Sequence, residues 1–381
     1  MSEICVGLIS GTSLDGIDVA VCRIDGHAQD ARIDLLAFDT IAYPDAVRAE
    51  LLRLYDDQRN AVARVCALNV VVGEAFADAA MIVLDGAGID GDLVEVIGSH
   101  GQTIWHQPET DPENALLVPS TLQIGEASVI AAKVGAPVMS DFRVADMAVG
   151  GQGAPLAPYL DWAIFSHPTL NRCVQNIGGI GNVTWVSAGG KLEEVTAFDT
   201  GPGNMLMDAL VTRLTNGEQT YDRNGEIGAS GTVDYDLLAE LMRDPYLDEE
   251  PPKSTGREYY GTEMIGEILA RHRLDANLIA TATAFTAHSI ADQYGRWLPG
   301  QPDEVYVNGG GARNPLLMRM LADALDGPTV RTTDELGVNA DAKEAMAFAL
   351  MAHDSLAGLP TNIPGATGAS RPVVLGKLTR L

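Results

Sequence analysis

Three glycine-rich stretches, Gly11 to Gly16, Gly178 to Gly181 and Gly309 to Gly311, each follow an apolar run of strand character. Glycine at such a tip lets backbone N–H groups approach an anion with no Cβ in the way, which is phosphate-binding chemistry. One such tip alone reads as a tight turn; three in the same strand-then-loop context point to a ligand. The chain has no G-x-x-x-x-G-K-[ST] sequence and no HRD with DFG, so a Walker or protein-kinase nucleotide site is unsupported.

A carboxylate stands close to the second tip. In Phe198-Asp199-Thr200-Gly201-Pro202-Gly203-Asn204 an acid follows an apolar strand end and precedes a Gly-Pro-Gly turn. There it can project into a cleft as a base, or cap the turn. Two more polar stretches, Ser99-His100-Gly101-Gln102-Thr103 and Asp141-Phe142-Arg143, follow short apolar runs at Leu93 to Gly98 and Ala136 to Ser140. Open α/β sheets bind ligands beyond the carboxyl ends of their strands, so both stretches are expected to be loops of the site.

The elements that must hold these residues alternate. Ile4 to Ile9 and Ile17 to Ile24 predict a hairpin with Ser10 to Gly16 at its tip, and helices are expected at about 45–58 and 61–85, the latter with Val65, Leu68, Val72, Phe76 and Ala79 on one face. About 170 residues later the opening pattern returns: Val174 to Ile177, the tip Gly178 to Asn182, and Val183 to Val186. A helix at about 279–296, the strand Glu304 to Asn308, a helix from about 314 and a last helix at about 341–357 complete an α/β alternation with two related lobes.

Composition sets the bounds. The 381 residues suit two domains, and 46% hydrophobic with 20% charged residues is ordinary globular usage. The N-terminus lacks a basic start and no window offers about 18 uninterrupted apolar residues, so the expectation is a cytoplasmic protein with no membrane partner. Four scattered cysteines, with no CxxC and no His partner at ligand spacing, suggest neither a disulfide framework nor a zinc site. A net charge of −27, with 32 Asp, 20 Glu and only five Lys, argues against nucleic acid and fits either an acidic surface of the ordinary kind or a salt-rich surrounding.

Eight co-linear segments then become specific: SGTSLDGID (10–18), GSHGQTIWHQP (98–108), TLQIGE (121–126), DFRVADMAVGGQGAPLAP (141–158), NIGGIGNV (176–183), FDTGPGN (198–204), PKSTGRE (252–258) and VNGGGARN (307–314). Together they resemble the anhydro-N-acetylmuramic acid kinase family, a member of the actin, hsp70 and hexokinase class. The resemblance implies an α/β fold of two related ribonuclease H-like lobes around a central ATP and sugar cleft. The lobes are expected at 1–140, with a C-terminal tail at about 360–381, and at 141–359. It also implies ATP and Mg2+ as cofactors and a small sugar as partner. The family opens the 1,6-anhydro bridge of its sugar with water and phosphorylates the freed O6, a step of cell-wall sugar recycling. A homodimer is only the common default, and the metal ligands are not specified.

By the same resemblance, Asp199 is the base toward water and Glu344, at the start of the last helix, the acid that faces sugar and transferring phosphate. Ser10, Gly11, Thr12, Ser13, Leu14, Asp15, Gly16 and Ile17, with Gly178, Gly179 and Asn182, would face the ATP phosphates. Gly309, Gly310, Gly311 and Asn314 would lie near the adenosine. Arg143 is an anion or sugar contact, or an ion-pair partner of Asp141 or Asp146. His100, Gln102 and Thr103 are sugar or wall contacts, or a network that stabilises the loop. Lys253, Ser254, Thr255 and Arg257 either hold a loop or touch ligand. Val144 and Ala145 depart from the pattern, since family members often carry further arginines there; this leaves open the same mechanism on another anhydro sugar such as levoglucosan, and a nucleotide switch without a sugar is the reading from another class.

Overall fold

The computed structural model describes residues 2–11, 13–56 and 59–381. The chain divides into two compact units, Met1–Ile164 with Asp341–Leu381, and Phe165–Ala340. The lobe boundaries expected at 140/141 and near 360 therefore move. The reason is packing: the Phe142 ring lies 5.3 Å from that of Phe348, and the whole helix Lys343–Leu356 is seated in the first unit.

The first unit is built on β1 (Glu3–Ser10), β2 (Ile17–Asp25), β3 (Arg32–Ile41), β4 (Val94–Gln107), β5 (Ser120–Ile124), β6 (Val138–Ser140) and β12 (Lys377–Thr379). Its sheet runs β12-β6-β4-β1-β2-β3, with β5 added to the far end of β4. β1, β2 and β3 form an antiparallel meander, and β4 and β6 continue from β1 in parallel. The second unit repeats this plan. β7 (Arg172–Ile177), β8 (Ile180–Val186) and β9 (Thr196–Pro202) form the meander; β10 (Glu304–Asn308) and β11 (Thr329–Thr332) continue in parallel, giving β11-β10-β7-β8-β9. The repeat expected from two glycine-tipped hairpins extends to five strands, β6-β4-β1-β2-β3 against β11-β10-β7-β8-β9, with β5 and β12 added in the first unit alone.

Each sheet is covered by helices whose apolar faces follow from their sequences. In the first unit the helix Ala61–Ala87 buries Leu68, Val72, Phe76, Ala80 and Val83. Among the described residues it is the one helix long and apolar enough to cross a membrane, and its buried face belongs to the core of this unit. On the other face lies Lys343–Leu356, an alanine-rich helix buried on nearly all sides. Gly7 and Gly98 are register partners on β1 and β4, and a Cβ would come within 1.7 Å of Ala345 O at the first and 2.0 Å of Phe348 O at the second. The helix backbone rests directly on the strand backbones there. In the second unit the helix Ala276–Trp297, capped by Asp275, fills the core with Ile279, Phe285 and Ile290.

β4 is longer than expected. Ser99 to Thr103 continue the strand to Gln107, because β1 pairs on one side and β5 on the other and so satisfy the backbone of this polar stretch. Asp199 likewise lies within β9 and not at a strand end.

Candidate functional site

In the second unit, Asn182 on β8 pairs with Asp199 on β9, while the next pair joins Gly181 to Gly201. Thr200 is the extra residue of a bulge, buried and with its hydroxyl accepting a hydrogen bond from Gln175 Nε2 at 3.2 Å. Bulges of this kind re-aim neighbouring side chains. Asp199 is then fixed from a distant stretch of chain. Its N–H donates to Lys253 O at 3.2 Å, its carbonyl accepts from Tyr246 OH at 3.0 Å, and its carboxylate Oδ2 accepts the Thr255 N–H at 2.9 Å.

Burial raises the Asp199 carboxyl to about 6, against the Thr255 N–H and the Lys253 charge, which both lower it. A carboxyl tuned to this range is charged at neutral pH yet basic enough to take a proton, as general base catalysis requires. Lys253 is itself buried, its ammonium donating to Tyr246 O at 2.9 Å and lying 4.5 Å from the centre of the Tyr246 ring. Desolvation lowers it to about 8, with Glu249 opposing. The stretch Lys253 to Thr255 thus acts as the brace of Asp199. Tyr246, the other brace, carried no signal in the sequence.

The glycine turns of this unit come together beside that strand. Gly178 O accepts the Asn204 N–H at 2.7 Å, Gly179 O accepts Gly203 N–H at 3.0 Å, and Asn204 Nδ2 donates to Ile177 O at 2.9 Å. The turn Gly309–Gly311 meets the same residues: a Cβ on Gly309, whose φ is +79°, would approach Asn176 Oδ1 to 2.6 Å, and one on Gly310 would approach Asn204 Nδ2 to 3.3 Å. Gly178 and Gly179 differ. Their φ angles lie outside the left-handed region; a Cβ on Gly178 would meet only an ordinary contact at 3.6 Å, whereas one on Gly179 would press to 3.3 Å on the Met205 side chain, so at Gly178 neither backbone strain nor close packing requires glycine. Asn314 is a helix cap, its side-chain oxygen accepting from Leu316 and Leu317 N–H, which commits the side chain placed near the adenosine.

In the first unit the turn from Ser10 to Ile17 separates into two sets. Leu14 and Ile17 are buried in the core and present no side chain to a ligand, while Gly11, Ser13 and Asp15 are exposed; Thr12 lies outside the described residues. Ser10 and Gly16 are buried. Gln102 is fully buried and spans the base of this turn: its Nε2 donates to Gly11 O at 3.3 Å and to Tyr55 OH at 3.1 Å, and its Oε1 accepts from Tyr43 OH at 3.1 Å. Thr103 O accepts from Tyr55 OH at 2.7 Å and Thr103 Oγ1 from Gln123 Nε2 at 3.3 Å.

Arg143 makes neither ion pair considered for it among the described residues. Asp141 takes Lys377 at 2.9 Å, and Asp146 accepts from Gly153 N–H, Asn362 and Thr367. Instead Arg143 Nε donates to His100 Nε2 at 2.9 Å and its NH1 to Gly153 O at 2.7 Å. An accepting Nε2 places the imidazole proton on Nδ1, which donates to Gly101 O at 2.9 Å. Burial and the Arg143 charge hold His100 well below its ordinary value, so it is neutral. Burial also lowers Arg143 to about 10, although Glu344 and Asp146 favour its charge. Glu344 opens to solvent at the first turn of its helix, yet desolvation raises its carboxyl, with Asp18 adding and Arg143 and Lys343 opposing. The neighbouring Lys343 is paired with the buried Asp161 at 2.6 Å.

Two units of one strand order, each a β-meander continued by two parallel strands, with glycine-rich hairpin tips, define the actin, hsp70 and hexokinase class of ATPases. Within that class the chain belongs to the anhydro-N-acetylmuramic acid kinase family, whose model matches residues 3–380. It is 42% identical over 383 residues to the anhydro-N-acetylmuramic acid kinase of Caldanaerobacter subterraneus subsp. tengcongensis, covering 99% of this chain and 97% of that one. It is 44% identical to the enzyme so named from Acaryochloris marina, covering 98% of both chains, and 45% identical to that from Gloeobacter violaceus, covering 98% of this chain and 97% of the other.

Proposed function

We propose that the protein is an ATP-dependent sugar kinase that opens 1,6-anhydro-N-acetylmuramic acid and phosphorylates O6, yielding N-acetylmuramic acid 6-phosphate. The observation that carries the chemistry is the Asp199 carboxylate, held by the Thr255 N–H at 2.9 Å on a bulged strand and raised to about 6. Asp199 takes a proton from the water that adds to the anomeric carbon; the C1–O6 bond breaks, and O6 displaces ADP from the γ-phosphorus. Fixing Asp199 from two distant segments serves this step, because positioning provides much of the rate in phosphoryl transfer.

The fit to ATP rests on the open glycines. At Gly11 and at Gly178, each in its own unit, a Cβ would meet only ordinary contacts, Ser13 Oγ at 3.7 Å and Asn176 Nδ2 at 3.6 Å, so packing does not demand glycine there and bare backbone N–H groups suit phosphate oxygens. Mg2+ bound with the nucleotide would neutralise charge developing on the transferring phosphate. Roles for Glu344 toward the sugar and for Arg143 and His100 as its neighbours are proposed on the family resemblance. Levoglucosan is not favoured: the relatives carry the name of the N-acetylmuramic sugar, and Val144 and Ala145 remain the departure that bears on how its lactyl carboxylate is held.

The test is ADP release with Mg-ATP in the presence and absence of 1,6-anhydro-N-acetylmuramic acid, with levoglucosan in parallel and the 6-phosphate identified by mass. Sugar-dependent release with the first sugar is the expected result. Release that ignores both sugars would leave a nucleotide switch, and turnover of levoglucosan alone would change the substrate.

A further inference from the structure

At the far end of the helix Lys343–Leu356, away from Glu344, two histidines and a carboxylate converge. His27, in the turn after β2, and His353 each place Nδ1 2.9 Å from Asp354 Oδ1. The two rings are stacked, with centroids 4.5 Å apart and an interplanar angle of 25°. The three ligand atoms all lie within 4.8 Å of one another. All three residues belong to the first unit.

We propose that His27, His353 and Asp354 form a structural site for a divalent transition ion, with zinc as its natural occupant. Two imidazole nitrogens and one carboxylate oxygen suit zinc, whereas Mg2+ prefers oxygen donors alone. With metal–ligand bonds of about 2.1 Å, ligand atoms around a tetrahedral zinc stand roughly 3.4 Å apart, so opening each 2.9 Å pair by about half an ångström admits the ion.

The surroundings have the form of an outer shell. Asp354 Oδ2 accepts Tyr159 OH at 2.7 Å and Ala28 N–H at 3.0 Å, which leaves Oδ1 as the oxygen turned to the two rings. His353 Nε2 lies 3.1 Å from Glu3 Oε2. A histidine bound to metal through Nδ1 carries its proton on Nε2, and a carboxylate placed to accept that proton is the usual partner of a metal-bound imidazole. His353 and Asp354 are buried, while the His27 side chain keeps 47% of its exposure and gives an ion its way in.

The role is architectural. At a rise of about 1.5 Å per residue, Asp354 lies roughly 15 Å along the helix from Glu344, too far for a part in phosphoryl transfer. The ion would tie the end of the helix to the start of β1 and the turn after β2, both more than 320 residues before it in sequence.

The probe is Zn2+ itself, titrated into metal-stripped full-length protein in competition with a chromogenic chelator, with thermal unfolding followed alongside. One zinc per chain and a Tm that rises with zinc concentration are expected. His27→Ala, at the half-exposed ligand, should weaken binding about a hundredfold or more and Glu3→Gln about tenfold, while Cys66→Ser, which removes the exposed thiol, should change nothing. X-ray absorption of the zinc-loaded wild type should show imidazole scattering without sulfur, a readout that does not depend on how a variant folds. No stoichiometric binding, binding undiminished in His27→Ala, or sulfur in the zinc shell would each overturn the proposal.

Discussion

Thr255 and Asp199 are joined by a hydrogen bond of 2.9 Å, from backbone N–H to carboxylate Oδ2, across 56 residues of sequence. The bond favours the charged carboxylate, yet burial disfavours it more strongly, and the carboxyl comes to rest at about 6. Asp199→Asn keeps an acceptor for Thr255 and removes the base. Activity should fall by about 10² to 10⁴ with the sugar.

The same substitution should stabilise the fold. A carboxyl at about 6 when folded and 3.8 when unfolded is penalised by folding once it is charged. The penalty is absent below the unfolded value and complete above the folded one, and it amounts to about 3 kcal/mol at most, at 1.36 kcal/mol per unit. Thermal unfolding of Asp199→Asn should therefore lie above wild type at pH 7.5, with the gap closing as pH falls from about 6 towards 4. A variant less stable than wild type at pH 7.5 would mean that burial is not what raises this group.

The brace gives a separate prediction. kcat/KM should lose activity on the acid side with an apparent pKa near 6, and Lys253→Met should move that limb to higher pH, because the Lys253 charge lowers Asp199. Circular dichroism must show an intact fold, since the ammonium also holds Tyr246 O. A limb that stays in place would leave Lys253 a packing role only.

Gly98→Ala puts a methyl 2.0 Å from Phe348 O, a backbone atom that cannot turn aside. Overpacking of this sort costs about 1 to 3 kcal/mol. A urea titration should show a lowered midpoint with an unchanged slope; a midpoint equal to wild type would mean that the helix shifts freely on the sheet.

A net charge of −27 repels itself, and raising ionic strength shortens the screening length from about 10 Å at 0.1 M to about 3 Å at 1 M. Tm should rise between 0.1 and 1 M KCl. A flat response would show that surface pairs such as Lys377 with Asp141 already offset the repulsion.

Where local pattern decides structure, the sequence was readable. Glu304–Asn308 is the strand expected, and Asn314 followed by Pro315 opens a helix as capping chemistry requires. The glycine-tipped hairpins at Ser10 and Gly178 revealed a repeated plan. What escaped depends on partners far away along the chain. Ser99 to Thr103 look like a loop until β1 and β5 are in place to satisfy their backbones. Leu14 and Ile17 sit in a motif associated with phosphate, yet their burial is a property of the packed sheet. The support of Asp199 by Tyr246 and Thr255, and the meeting of His27 with His353, leave no periodicity or spacing for a reader to find.

The seat that Gly7 and Gly98 provide for Lys343–Leu356 bears on the order in which the protein can take shape during synthesis. The second unit, Phe165–Ala340, is one unbroken stretch and can fold as soon as it leaves the ribosome. The first unit begins earlier but finishes later: its bare glycine groove stays without the helix that fills it until Lys343–Leu356 has been made, after the whole of the second unit. The half that is translated first is thus the half that must wait, and a ribosome stalled near residue 340 would release a chain with one finished unit and one open sheet.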